Sequence, residues 1–303
     1  MEGAAVNAMQ LLLEQVVNGC AIGSLYGLFA IGFGLVFSTL GILNAAHGTY
    51  ASFAAIAGYY AATVLGLPFV GSLVVGVAAG ALLALLVDQL AFQPLRRHRA
   101  GMLGALITSI AFWMILDSLA GFATGHESLS FPAGTYPAGV LMLGSLPLPV
   151  MQLIAIASLV VVTAAVHWLI AYSRLGAAMR AVGWNEAAAQ ISGVNPRLVI
   201  LATASLAGAT SALAGVLGGI STNNVSFTLG EGMLLKGFAA VVVGGFDDVR
   251  GAAVAGIGLG IAEVLSAQYI STSMRDAITY ALLLGFLVLR PRGLFGRASF
   301  VRA

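Results

Sequence analysis

The sequence predicts an all-α polytopic membrane protein of about eight to nine transmembrane helices, some of them short or broken. Three observations predict it. Only 8% of the 303 residues are charged, 13 Lys and Arg against 11 Asp and Glu, where a soluble domain carries roughly 25%. The hydrophobic fraction is 60% and the mean hydropathy +1.01, more apolar surface than a soluble fold of this size could bury while wetting so few charges. Long stretches carry no Asp, Glu, Lys or Arg at all: 73 residues between Glu14 and Asp88, 46 over 128–173 and 33 over 198–230. As one helix the first of these would be about 110 Å long, against a hydrocarbon core of about 30 Å, so it folds back at least twice. Backbone in lipid must satisfy its own hydrogen bonds, which leaves helices or a closed barrel. Stretches 71–87 and 153–166 are almost continuously apolar rather than alternating, which selects helices.

Nine segments follow in order, at about 10–38, 45–63, 69–92, 102–122, 149–171, 198–220, 233–245, 251–266 and 275–290. The first two are separated by a polar interruption containing Asn44, His47, Gly48 and Thr49. The third ends ahead of Arg96, Arg97 and Arg99. Residues 123–149 carry Pro132, Pro137, Pro147 and Pro149 and read as an extended loop or short interfacial pieces, because proline removes donors and disfavours helix in the residue before it. Pro196 opens the sixth segment. The seventh and eighth are short and Gly-rich, which suits broken helices or helices packed deep inside the protein. Nothing in the chain resembles a linker, so one membrane domain, 1–303, is expected.

Arginine sets the orientation. Arg96, Arg97 and Arg99 share one loop; Arg174, Arg180 and Arg197 share another; Arg290, Arg292, Arg297 and Arg302 lie in the tail; Arg250 lies in a short turn. With nine crossings these four places share one side and hold 11 of the 13 basic residues. The positive-inside rule then puts the C-terminus in the cytoplasm and the N-terminus outside. The start, MEGAAVNAMQ, lacks the basic region of a cleaved signal peptide.

Composition also excludes function classes. A net charge of +2 without a basic cluster offers no nucleic-acid footprint. The single cysteine, Cys20, excludes an internal disulfide framework. The one lysine, Lys236, stands in GEGMLLKGF, so there is no GxxxxGK[ST] phosphate loop. The four histidines form no metal-spaced pair, and no GxSxG elbow occurs. No catalytic residue, metal or cofactor is therefore expected in this chain. Asp88, Asp117 and Glu263 sit near segment ends, which fits anchoring or local pairing, with a proton relay through Asp117 or Glu263 as the alternative.

Glycine accounts for 39 residues, about twice the usual share of roughly 7%. Much of it recurs at four-residue spacing: Gly23 and Gly27, Gly76 and Gly80, Gly215 and Gly219, Gly256 and Gly260. Such stripes let helix backbones approach closely.

Two segments carry specific information. In GILNAAHGTY, polar side chains interrupt an apolar run; they are tolerated in lipid where they line a cavity or cap a helix. Asn44 could cap the second segment, and His47 and Thr49 could face a pathway. The second is the long loop 172–197, on the arginine-rich side. There Asn185 reads as the N-cap of a short Ala-rich helix ending at Gly193, whose left-handed conformation supports a C-cap. Such a helix either lies in the interface or docks into a groove on a soluble partner; the alanines favour docking.

With these segments the chain, over about residues 10–297, resembles the permeases of branched-chain amino acid ABC importers. The matching pieces are NGCAIGSLYGLFAIGFGLVFSTLGILNAAHGTY, RLGAAMRAVGWNEAAAQISGVN, SLAGATSALAGVLGG, VVVGGFDDVRGAAVAGIGLGIAE and LVLRPRGLFG. Three places depart from the family pattern: Asn44-Ala-Ala-His47-Gly48-Thr49 stands for the usual NFAHGE, Glu186 falls one residue ahead of the family's Glu when the loop is aligned on Gly193, and Asp247 and Asp248 make the turn between Gly244-Gly245 and Gly251-Ala252 more acidic than is typical. The resemblance implies an importer subunit in the bacterial cytoplasmic membrane. It implies a second related permease, two cytoplasmic ATPases that consume the ATP, and an extracytoplasmic binding protein as partners. It makes 172–197 the coupling loop, with Arg180, Asn185, Glu186, Ala187, Ala188 and Gly193 as ATPase-coupling residues. Pathway candidates are the polar groups within apolar runs: Asn18, Ser24, Asn44, His47, Thr108 and Ser109. Hydroxyls in that set could equally bond their own helix backbone. The alternatives are a stand-alone channel or ion-coupled secondary transporter, or an ABC permease for urea, amides or sugars.

Overall fold

The computed structural model describes residues 2–98, 101–144, 146–290 and 293–295. Arg99, Arg292, Arg297 and Arg302, which entered the sidedness argument, lie outside the described residues.

Helix α1 (Glu2–Leu40) ends where Gly41 turns left-handed, at φ +66°. Glycine takes that conformation without the Cβ penalty, and its amide closes the last turn onto the Phe37 carbonyl at 2.8 Å. After six non-helical residues, 41–46, the chain re-enters as α2 (His47–Thr63). Helix α3 (Phe69–Val87) runs through a π-helical turn, Asp88–Phe92, into α4 (Gln93–Arg97). Helix α5 (Met102–Thr124) is followed by a two-stranded antiparallel hairpin, β1 (Val140–Leu143) and β2 (Leu146–Pro149), and by α6 (Val150–Tyr172). Two short helices, α7 (Arg174–Trp184) and α8 (Glu186–Ile191), precede α9 (Pro196–Ser221). Helices α10 (Leu229–Gly244), α11 (Val249–Tyr269) and α12 (Arg275–Leu289) complete the described chain, with a 3-10 turn, Thr272–Met274, leading into α12.

Helices stand at all nine expected places, yet among the described residues seven are long and apolar enough to cross a membrane by length and composition. Helices α2, with 17 residues, and α10, with 16, are the two that fall short. Helix α11 was expected to be short but has 21 residues and counts among the seven. The all-α expectation also needs correcting over 123–149. There Val140 pairs with Pro149 and Leu143 with Leu146, so Pro147 and Pro149 sit in a strand of a two-stranded hairpin, where an edge tolerates a missing donor, while Pro132 and Pro137 lie in irregular chain ahead of it.

Helices α1 and α9 are mostly buried, whereas α5, α6 and α12 expose most of their apolar surface. Helix α3 shows why. Ser72, Gly76, Gly80 and Ala84 form one buried stripe, and Val70, Val74, Leu82 and Leu86 are exposed. Small residues turn inward to let backbones meet, and bulky aliphatic ones face the apolar solvent. A Cβ added to Gly76 would lie 2.7 Å from the Ala54 carbonyl oxygen of α2. Another tight seam joins α1 to α11: a Cβ on Gly260 would lie 2.3 Å from the Gly23 nitrogen, and one on Gly256 2.5 Å from the Gly27 nitrogen. The four-residue glycine spacing is a packing code here, as the sequence suggested.

Candidate functional site: the helix break and the loop beneath it

The loop 172–197 folds as two capped helices. Ser173 Oγ accepts the Gly176 amide at 2.9 Å and starts α7. Asn185 Oδ1 accepts the Ala188 amide at 3.0 Å and starts α8. Gly193, at φ +85°, ends it, with the Gly193 amide on the Gln190 carbonyl and the Val194 amide on the Ala189 carbonyl, both at 3.0 Å. Asn195 Oδ1 then caps α9 through the Arg197 amide at 3.1 Å, with Pro196 in the first turn, where no N–H is needed. The cap at Asn185 and the stop at Gly193 are as expected. Helix α7 was not foreseen, although Leu175, Met179 and Val182 recur at helical spacing after a capping serine.

Helix α7 buries Met179 and Val182, and its Gly183 sits against the Ser38 carbonyl at the end of α1. Arg180 donates to the Ile170 carbonyl and ties α7 to the end of α6. Helix α8 buries only Ala189, leaving Glu186, Ala187, Ala188 and Ile191 exposed beside Trp184. The loop is therefore a small protruding knob, braced underneath by the helix that precedes the break.

At the break, residues 41–46 are held from several sides. Ser109 Oγ of α5 accepts the Ala45 amide at 3.0 Å and donates to the Leu106 carbonyl at 2.8 Å. Asn44 does not cap α2: its Nδ2 donates to Tyr50 Oη at 3.0 Å, while its buried Oδ1 has no partner among the described residues. Thr49 Oγ1 donates to the Ala46 carbonyl at 2.7 Å. His47 is fully buried among the rings of Phe29, Phe33 and Tyr50, with centroids 4.8, 5.6 and 5.2 Å away. Its Gly48 neighbour meets the Gly230 carbonyl of α10, and its own carbonyl accepts Ser211 Oγ of α9 at 3.3 Å. The structure thus brings Asn44, His47 and Ser109 together. The other three pathway candidates lie apart. Asn18 bonds Gln152 of α6, Ser24 is buried with its hydroxyl on the Cys20 carbonyl at 2.7 Å, and Thr108 is half-buried on α5.

Between the break and the knob lies an open cavity of about 310 Å³, lined by Thr39 to Ile42, Phe92, Arg96, Met102 and Ala105, and by Val182 to Glu186. Its charged wall is preorganised. The π-helical turn carries buried Asp88, whose two carboxylate oxygens accept the Arg96 guanidinium at 2.8 and 2.9 Å. Such a bidentate fork fixes the cation's direction as well as its charge. Local pairing was one expectation for Asp88, and this is it.

The second buried charge cluster joins α10, α11 and α12. Glu263 of α11 is fully buried; its Oε1 accepts Lys236 Nζ at 2.7 Å and Arg275 Nε. Lys236 also meets Asp276 at 3.0 Å and lies 5.5 Å above the Tyr26 ring. These partners are far apart in sequence, and only their charges in an apolar context hinted at them. In the turn between α10 and α11, Asp248 caps α11 through the Arg250 amide at 2.9 Å. Burial pushes the Asp248 carboxyl up. The hydrogen bonds from the Arg250 side chain and from the Arg250 and Gly251 amides outweigh that and hold it below its ordinary value. Asp117 is half-buried on α5. Among the described residues no three His, Cys, Asp or Glu side chains are grouped to hold a metal ion.

The family described as "Branched-chain amino acid transport system / permease component" matches residues 15–287. The chain is 32% identical to the high-affinity branched-chain amino acid transport system permease protein LivH of Escherichia coli (strain K12), covering 94% of this chain and 96% of the relative. It is 28% identical to the corresponding protein BraD of Pseudomonas aeruginosa, over 94% and 96%. The ribose import permease protein RbsC of E. coli K12 is 27% identical over 73% of this chain and 66% of its own length.

Proposed function

Since this chain belongs to the family of branched-chain amino acid transport system permease components, a multi-pass membrane transport subunit rather than an enzyme, we propose that it carries branched-chain amino acids as the permease of an ABC importer in the bacterial cytoplasmic membrane. ATP is consumed by two cytoplasmic ATPases, a second related permease completes the pathway, and an extracytoplasmic protein delivers the substrate. The chain itself holds no cofactor.

The observation that carries this reading is the knob. Helix α8 is capped at both ends and presents Ala187, Ala188 and Ile191 outward, so a partner with an apolar groove can seat it. Helix α7 beneath it rests on Ser38 through Gly183. Force applied to α8 therefore reaches the end of α1, at the break that positions Asn44, His47 and Ser109. A rigid-body shift there reweights inward- and outward-facing bundles, which is how a partner's nucleotide cycle can drive transport. Asn18, Ser24 and Thr108 remain pathway candidates alongside these three. Substrate class follows the relatives named for branched-chain amino acids, which align with more of this chain than the ribose permease does.

The test is Ala188→Glu, which keeps the helix and its cap but puts a charge on the docking face. Copurification of the ATPases and leucine uptake in proteoliposomes are expected to fall at least about tenfold, with membrane insertion unchanged. Full ATPase retention by the variant, or ion-driven uptake by this polypeptide alone, overturns the reading.

A further inference from the structure

We propose that the cavity between the helix break and the coupling helices binds one molecule of an apolar α-amino acid from the coupling-loop side. Its identity as an amino acid rests on the function proposed above; the site itself rests on geometry.

The cavity, about 310 Å³, is large enough for such a ligand and open enough to admit it. Its lining combines apolar and charged side chains. Leu40, Ile42, Phe92 and Met102 offer an aliphatic and aromatic surface. Arg96 offers a guanidinium, and Glu186 a carboxylate. The bidentate bond to Asp88 uses two of the five guanidinium N–H groups, so Arg96 is fixed in place with donors left over. An apolar α-amino acid presents the complementary set: a carboxylate for Arg96, an ammonium for Glu186 and a branched hydrocarbon for the apolar wall. A sugar would leave both charges unanswered, and a simple anion would leave Glu186 and the apolar wall unanswered.

A second observation points the same way. Leu40 and Phe92 also line a much smaller void, about 10 Å³, whose wall includes Asn44 and Asp88. The unpartnered, buried Oδ1 belongs to that Asn44. Leu40 and Phe92 therefore separate the open cavity from a spare polar acceptor at the break. A ligand in the cavity touches Asn185 and Glu186, where α7 hands over to α8, and the end of α1 at once. Its occupancy bridges the knob and the break.

The experiment uses the assembled transporter in phosphatidylcholine nanodiscs without the binding protein. Met102→Cys is introduced in a Cys20→Ser background, and its maleimide labelling rate is followed. L-leucine at twice its dissociation constant is expected to slow labelling about threefold, while ribose, acetate and octylphosphocholine leave the rate unchanged. Ala105→Phe, which fills the cavity, and Glu186→Gln, whose side chain is exposed and so does not threaten folding, are each expected to abolish the protection. Absent protection, equal protection by octylphosphocholine, or protection that survives Glu186→Gln overturns the site. The same preparation, reconstituted with binding protein and MgATP, is assayed for leucine uptake. Uptake without protection rejects this site alone; protection without uptake keeps the site and rejects the transport assignment.

Discussion

At the scale of single residues, Glu263 is a carboxylate with no solvent exposure. A fully buried carboxylate among apolar helices is costly unless its charge is answered, and here two cations answer one oxygen while Asp276 shares Lys236. Removing one member of a buried pair costs far more than removing the pair, since the survivor stays charged and alone. Glu263→Gln, which leaves Lys236 only the exposed Asp276 as a partner, is therefore expected to destabilise the purified protein by up to about 3–5 kcal/mol. The double variant Glu263→Leu with Lys236→Met should lose less, because the remaining Arg275 is partly solvent-accessible and can reach water with its long side chain. Thermal unfolding in detergent measures both, and equal losses in the single and double variants would contradict the pairing. The residues also show what a sequence can reveal. Asn185, Gly193 and Pro196 were legible, because caps and stops act within a few residues. The Glu263–Lys236–Arg275 cluster was not, because its members are brought together only by the packing of α10, α11 and α12.

Helices as elements are held by glycine seams. The spacing of Gly256 and Gly260 announced a close approach, and the structure puts Gly19, Gly23 and Gly27 of α1 opposite them. Gly260→Ala forces a methyl to within 2.3 Å of backbone, so α1 and α11 must part; a loss of about 1–3 kcal/mol is expected. Gly258→Ala, on the same helix with nothing within 4 Å of the added Cβ, should be neutral or slightly stabilising through helix propensity. Melting temperatures of the two variants side by side check this, and similar losses would show that the seam is not what holds α11. Which partner each stripe meets was beyond the sequence, since spans that are apolar nearly all round give no facing signal. The hairpin β1–β2 was hidden for a different reason. Its prolines argued against helix but also masked the alternation that marks a strand.

At the scale of the whole molecule, most of the described basic residues lie at one end. The cavity brings Arg96 and the 183–186 turn to the foot of α1. The Phe37 ring near that foot lies 4.2 Å from Phe246, in the turn that carries Asp248 and Arg250. The Leu294 amide donates to the Val243 carbonyl at 2.7 Å, so Leu294 lies at the same end. The opposite end holds the Tyr60 hydroxyl on the Ala123 carbonyl, the bridge between Leu129 and Val225, and the turn leading into Arg275. Described arginines 96, 97, 174, 180, 197, 250 and 290 therefore cluster away from Arg275, a bias that sets orientation through the cost of exporting positive charge. The expected arrangement puts α8 in the cytoplasm and the hairpin outside. Ile191→Cys, at an exposed position on the knob, should react with an impermeant maleimide only in inverted membranes. Met142→Cys, exposed on β1, should react only in intact cells. The reverse pattern would place the knob outside, beyond reach of any ATP-driven partner, and the coupling route from α8 through Gly183 to the helix break would then have no engine to serve.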